Sequence, residues 1–316
     1  MHSIKVLKYL VLVFLLFSFM ITGCSNKTSS EMPPNFKVAF IGDQGLSNYS
    51  KAVLRLIKNE NASIVIHQGD LDYEDNPDKW DRQINEILGA DFPYFASIGN
   101  HDDKVWISYQ RKLMARLSVV KDASCTGNLG VNSACYYKGL FFVLSGVGIR
   151  GYNHSNYIKQ ELVKDDSVWR ICSWHENQRL MQVGNNKDSV GWEPYEECRK
   201  NGAIVATANE HSYSRTHLMD NFENQSIASM SKTLMIEKGK TFAFVSGLGG
   251  RSIRNQNDTL ASNNWWASVY TAKQDANFGA LFCIFSYKNI TNHAYCYFKD
   301  IEGRIPDEFY VISRLP

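Results

Sequence analysis

The chain lacks any strong imbalance of charge: its 316 residues carry a formal net charge of +2, with no long run of one sign. A sequence so balanced has no electrostatic footprint for nucleic acid, which is bound through clustered basic surface. Internal repeats are absent, which argues against solenoids and propellers. No Cys-x-x-Cys pair occurs, so the ligand spacing of a structural zinc module is missing. The longest apolar run, Tyr9 to Met20 broken only by Ser18, is short for a membrane span. What is present is 44% hydrophobic content, enough for one large globular domain with a sizeable core. Nothing between Lys37 and Pro316 reads as a linker, so residues 36–316 are expected to form a single domain.

The first 24 residues read as an export signal. Lys5 and Lys8 form a basic start, Tyr9 to Met20 an apolar middle, and Ile21-Thr22-Gly23-Cys24 resembles a bacterial lipobox. Cys24 would then be the first mature residue, lipidated on its thiol. Gly23 equally suits an ordinary signal cleavage site, and an uncleaved anchor is the third reading of the segment. Residues 25–35, polar with a Pro pair, read as a flexible tether. The expected location is extracytoplasmic, at the cell surface or in the periplasm, with the membrane reached through Cys24.

Export implies an oxidising compartment, and six cysteines remain after Cys24. Cys125 and Cys135 flank a Gly/Asn-rich loop, and Cys283 and Cys296 sit on two arms of an expected hairpin; both pairs are expected to bond. Cys172 and Cys198 are then left for each other, although spacing does not determine connectivity.

Short β-branched and aromatic runs alternate with helical spacing in the first half. Phe36–Ile41, Ser63–His67 and Pro93–Ile98 read as strands; 50–58, 79–88 and 103–117 read as helices. This alternation is the signature of an α/β sheet. The second half is richer in strands, with candidates at 141–144, 169–174, 203–208, 241–245, 278–286, 293–298 and 309–312. A longer insert, 177–201, ends in a helix from Pro194 to Lys200.

Five blocks sit at or just past strand ends: Gly42-Asp43-Gln44-Gly45, Gly69-Asp70-Leu71-Asp72-Tyr73, Gly99-Asn100-His101-Asp102, Trp174-His175 and Asn209-Glu210-His211. One Gly-Asp is an ordinary turn. Five blocks in one order, oxygen donors first and histidines last, are not explained by turn chemistry. In open α/β sheets the site lies beyond the carboxyl ends of the strands. Hard oxygens suit hard cations, and imidazole suits zinc and iron. A carboxylate can bridge two close ions, and such a pair stabilises both attacking and leaving oxygens in displacement at phosphorus.

In these blocks the chain resembles the calcineurin-like metallophosphoesterases, and within them the purple acid phosphatases, from about Phe36 to Arg215. The usual His of the first block is missing, since Asp43 is followed by Gln44 and Gly45, while Tyr73 stands three residues after Asp70. That paired change is the purple acid phosphatase pattern. The resemblance implies an α/β fold, a sandwich of two mixed β-sheets flanked by helices. It implies two metal ions. Asp43, Asp70, Tyr73 and His211 would hold the first, ferric iron, with Asp70 bridging; Asn100 and His175 would hold the second, iron, zinc or manganese. His101 would face the ester as acid or hydrogen-bond donor, oriented by Asp102, and a metal-bound hydroxide would attack the phosphate ester, most simply a monoester. Tyr213 and Arg215 could reach the phosphate, with an ion pair the other reading of Arg215. The run Gly247-Leu248-Gly249-Gly250 could bring backbone near the site, while His67, His154 and His217 read as structural.

One block departs from the pattern. The family's Gly-His-x-His is Ala208-Asn209-Glu210-His211 here. Asn209 stands where a second-metal His is expected and would bind through its amide oxygen. The second site is then weaker or selects a harder ion such as manganese or magnesium. The alternative is a catalytically weakened lipoprotein that binds phosphate, nucleotide or metal. Ala208 in place of Gly adds a steric question at the turn.

Overall fold

Phe36–Ile41 is buried at nearly every position. A strand with no polar face to offer water belongs in the middle of a sheet. In the computed structural model, which describes residues 31–316, it pairs in parallel with Ile64–His67 and antiparallel with Gly279–Phe285. The expected signal peptide, the Cys24 lipobox and residues 25–30 lie outside the described residues. Among the described residues the first sheet has seven strands, in the spatial order Thr233–Ile236, Asp307–Ser313, His293–Asp300, Gly279–Phe285, Phe36–Ile41, Ile64–His67 and Tyr94–Ala96.

A second sheet of eight strands runs Trp266–Tyr270, Tyr213–Thr216, Ala243–Ser246, Ile204–Thr207, Trp169–Ser173, Leu140–Ser145, Asn132–Tyr137 and Ala123–Asn128. Four of these, from Ala243–Ser246 to Leu140–Ser145, are parallel neighbours. Both sheets are therefore mixed. Side chains from both, such as Phe40, Phe95, Phe142, Phe244 and Phe285, share one core.

Helices cover the outer faces. Asn48–Asn59 contributes Val53, Leu54 and Ile57; Pro77–Ile87 contributes Trp80 and Ile84; Trp106–Leu117 contributes Tyr109 and Leu113. The first of these starts at Ser47, whose hydroxyl accepts from the Ser50 N–H while the Ser50 hydroxyl accepts from Ser47 N–H. The second starts at Asn76 followed by Pro77, a cap and a first-turn proline. On the second sheet, His154–Lys164 and Glu193–Lys200 bury Ile158, Leu162 and Tyr195 against Trp174 and Val205. Among the described residues, no helix is long and apolar enough to cross a membrane.

Two of the three expected cysteine pairs are bonded, Cys125 to Cys135 and Cys283 to Cys296, each joining directly opposed residues of antiparallel strands. The third expectation is corrected: Cys172 and Cys198 are buried free thiols in the same cluster. The Cys125–Cys135 segment is not a loop with flanks but a hairpin of two strands, Ala123–Asn128 and Asn132–Tyr137. Its Ser, Thr, Gly and Asn content carries no strand pattern, and pairing to Leu140–Ser145 supplies the order instead.

Tyr213 needs correction as a phosphate contact, and for Arg215 the ion-pair reading is the one that holds. Alternation along Tyr213–Thr216 does place both on one face, but that face looks between the sheets. The Tyr213 hydroxyl donates to Asp307 Oδ2 at 2.7 Å, and Arg215 makes a two-pronged bond to the same carboxylate at 2.7 and 2.9 Å. The guanidinium lies 4.0 Å from the Phe309 ring centroid. Asp307 opens a strand of the first sheet, so this buried group fastens one sheet to the other. Removing one partner leaves a buried charge uncompensated. Asp307→Ala is therefore expected to lower unfolding stability by about 3–5 kcal/mol in a urea titration. Asp307 supplies no donor to the strand-end groups, so metal content per folded chain should stay unchanged.

Candidate metal centre

The blocks meet at one end of the two central sheets. Asp43 and Asp70 each directly follow a glycine and take left-handed φ values of +57° and +59°. Asp tolerates this region better than most residues because its short side chain bonds locally. The turn aims each carboxylate back over its strand end. Close packing holds them there: a Cβ on Gly99 would lie 2.0 Å from the Asp70 nitrogen and 2.1 Å from Asp70 Oδ1. At Gly42 a Cβ would meet the Ala208 Cβ at 2.3 Å, so Ala208 is accommodated by the glycine facing it. The Gly247–Gly250 run lies alongside, with Gly249 N–H bonded to the Gly42 carbonyl and Arg251 N–H to the Asp43 carbonyl, each at 3.0 Å.

Asp43 Oδ1, the Tyr73 hydroxyl and His211 Nε2 form a triangle with sides of 3.1, 3.2 and 3.3 Å. His175 Nε2 lies 3.1 Å from Asn100 Oδ1 and 3.4 Å from Asp70 Oδ1. Adjacent donors on an octahedral ion with bonds of about 2.1 Å stand about 3.0 Å apart, so both groups have the spacing of a ligand set. Asp43, Asp70 and His175 offer ligand atoms all within 4.8 Å of one another, which places the two groups side by side. Asp43 Oδ2 is buried and has no hydrogen-bond partner among the described residues. A buried carboxylate oxygen left without a partner is costly unless a cation meets it.

The field at this point is strongly negative. Burial pushes the His175 imidazole down, but Asp70, Asp43 and Glu176 outweigh it and raise it to about 10. His67, equally buried two residues before Gly69, is pushed down to about 3 by burial and stays neutral, accepting the Gly69 N–H through Nδ1. Asp70 is held at about 2: burial acts upward, and His175 with the His101 N–H overcomes it. Burial and the two aspartates lift the Tyr73 phenol far above its ordinary value. A tyrosinate here therefore requires a cation beside it. His175 donates Nδ1–H to the Gln68 carbonyl at 2.7 Å, and His211 Nδ1 meets the Ser252 hydroxyl at 2.5 Å. In both rings Nε2 is the nitrogen aimed at the cluster, the second-neighbour arrangement usual for metal-binding histidines.

His101 is exposed beside the cluster, its ring 4.5 Å from that of Tyr73, and its backbone N–H donates to Asp70 Oδ1. Asp102 does not orient the His101 ring. Its buried carboxylate accepts three backbone N–H groups, from Gly99 at 2.7 Å and from Asp70 and Leu71 at 2.9 Å each. It ties the second block to the third and so sets where Asp70 points. Asn209 is at the neighbouring strand end with φ +63°, and its Nδ2 donates to Glu176 Oε2 at 2.7 Å.

Several neighbours carried no signal in the sequence. Arg254 donates to the Asn209 carbonyl at 2.9 Å, stands 3.3 Å from His211 Nε2 and 3.6 Å from Glu210. The Arg251 guanidinium lies 4.4 Å from the Tyr73 ring centroid. Arg251 directly follows the glycine run, and Glu176 directly follows His175; adjacency to a recognised block was the only clue to either.

Residues 36–213, more than half of the chain, match the family model of the calcineurin-like phosphoesterases. No curated protein sequence matches the chain. Among solved structures, the chain is similar to purple acid phosphatase PPD1 from yellow lupin (Lupinus luteus) seeds, with 16% identity and a TM-score of 0.63 over 89% of this chain and 55% of that one. It thus spans little more than half of the lupin protein. GAP50, the anchor in the inner membrane complex of Plasmodium, aligns over 88% of this chain and 89% of its own with 11% identity and a TM-score of 0.58. PhoD aligns over 89% and 73% with 13% identity and a TM-score of 0.54. At these identities the likeness is one of fold.

The raised His175 gives the metal-free protein a pH signature. A group lifted from 6.5 to about 10 contributes stability that is complete below pH 6.5 and is lost as pH rises toward 10. Chelator-treated protein should therefore show a urea midpoint that falls between pH 6.5 and 10, and saturating metal should remove that slope. A midpoint that is flat for the chelated protein would contradict the charge assignment.

Proposed function

The chain belongs to the calcineurin-like phosphoesterase family, and from that premise we propose that it is a two-metal hydrolase of phosphate esters, monoesters foremost, held on the outer side of a membrane. The observation that carries the reading is the pair of ligand-spaced groups around two buried carboxylates. Asp43, Tyr73 and His211 would hold one ion, Asn100 and His175 the other, and Asp70 both. The hard phenolate oxygen of Tyr73 favours ferric iron in the first position, with iron, zinc or manganese in the second. Bound there, the ions supply Lewis acidity toward phosphoryl oxygens and lower the pKa of water.

The protein's own part is positioning. Asp102 clamps the Asp70 turn; Gln68 and Ser252 fix the two imidazoles. His101, free of the ligand set and open to solvent, is placed to give a proton or hydrogen bond to the leaving oxygen. Arg251 and Arg254 border the Tyr73 and His211 side and offer cationic donors to a phosphate.

A second reading keeps the fold and loses the rate. Asn209 replaces an imidazole donor, and the protein would then serve as a phosphate, nucleotide or metal binder. GAP50, similar in fold, is described as an anchor. Metal-loaded protein assayed for phosphate release on monoesters and diesters separates the two: turnover supports the hydrolase, and none on any ester overturns it. His101→Ala is expected to lower kcat by about 10²–10⁴-fold with unchanged metal content. Iron-loaded protein should carry a visible charge-transfer band that Tyr73→Phe abolishes; a colourless iron-replete protein would remove Tyr73 from the ligand set.

A further inference from the structure

The Asn209 side chain is held at one end only. Its Nδ2 donates to Glu176 Oε2 at 2.7 Å, and among the described residues nothing donates to its Oδ1. An amide has a donor end and an acceptor end, and a carboxylate can serve only the donor end. Rotating the amide by half a turn would set its oxygen against the Glu176 oxygens. Glu176 therefore decides which end of Asn209 is left free, and the free end is the oxygen.

The backbone places Asn209 next to the residues of the second ligand group. The strands Trp169–Ser173 and Ile204–Thr207 are parallel neighbours, and the Ala208 N–H donates to the His175 carbonyl at 3.2 Å. Asn209 thus leaves its strand next to His175 and Glu176. Its own carbonyl is occupied by Arg254 at 2.9 Å and Asn186 at 3.4 Å, which pins the turn. Glu176 is itself supported from the 177–201 insert through the Ser189 side chain.

We propose that Glu176 is a positioning residue that turns Asn209 into an oxygen ligand of the second metal ion. With Glu176 in place, that ion meets oxygens from Asp70, Asn100 and Asn209 and a single nitrogen, from His175. Three oxygens and one imidazole favour a hard cation, Mn²⁺ or Mg²⁺, over Zn²⁺. A carboxylate and an amide together thereby replace one lost histidine, with the carboxylate acting behind the ligand and not on the metal. The proposal rests on the two-metal reading above.

The test is metal binding, measured on the full chain by calorimetry with Mn²⁺ and with Zn²⁺ and by metal content after dialysis. Wild type is expected to bind two ions, the second with preference for Mn²⁺. Glu176→Ala should weaken the second Mn²⁺ site by about 10–100-fold, the usual cost of losing a residue that orients a ligand, and leave the first site unchanged. Adding Asn209→His to Glu176→Ala should restore tight second-site binding and shift its preference to Zn²⁺, because an imidazole nitrogen suits Zn²⁺ and either ring nitrogen can serve as the donor. That recovery also separates loss of orientation from loss of folding. Wild type that binds two ions, with Glu176→Ala binding the second Mn²⁺ equally well, overturns the proposal and spares the two-metal reading. Wild type that binds a single ion overturns both.

Discussion

Two carboxylates, Asp43 and Asp70, are brought out of water and close together at neighbouring strand ends. Burying a charge without compensation is among the costliest acts in folding, and burying two of like sign compounds it. The surroundings are organised around that constraint. His175 is raised until it carries the missing positive charge, Tyr73 cannot ionise without a cation, and Asp43 Oδ2 has no partner among the described residues. A chain that folds this way has built a demand for metal into its core.

Holding the carboxylates in place needs rigidity on a scale of tenths of an ångström. Asp102 supplies it from below by taking three backbone N–H groups, and the glycine turns supply it from the sides by allowing backbone to approach where a Cβ would collide. The two sheets in turn are fastened by Asp307, which gathers Tyr213 and Arg215 across the interface. Strand ends can act as fixed points only if the sheets that carry them do not slide.

The expected ligands Asp43, Asp70, Tyr73, Asn100, His175 and His211 were legible because each stands within a few residues of a strand end, which short apolar runs reveal, and the family resemblance gave them roles. The structure brings their donor atoms together. What lay beyond the blocks was not legible. Asp102 was expected to face His101 and faces backbone amides instead, because a buried carboxylate is bonded by whatever N–H groups the turn presents. Tyr213 and Arg215 follow the last block and could have reached a phosphate, but the other reading of Arg215, an ion pair, is the one that forms. Alternation alone does not say which face of a strand looks at the site and which at the other sheet. Glu176, Arg251 and Arg254 have no periodicity or motif of their own; only folding brings them to the ligands.

By itself the sequence determined the α/β order of elements and the residue types at the strand ends, since each is a local pattern, while the departure at Asn209 shows only against the block of the family it resembles. The tertiary structure alone decided which donors meet, at what spacing, and which end of each polar side chain is free. The reason is that donor spacing and amide orientation depend on contacts between residues far apart in the chain, such as Asp43 with His211 and Asp70 with Asp102. It also decided what the Asn209 nitrogen meets, because the Glu176 carboxylate on the neighbouring strand end accepts its Nδ2–H.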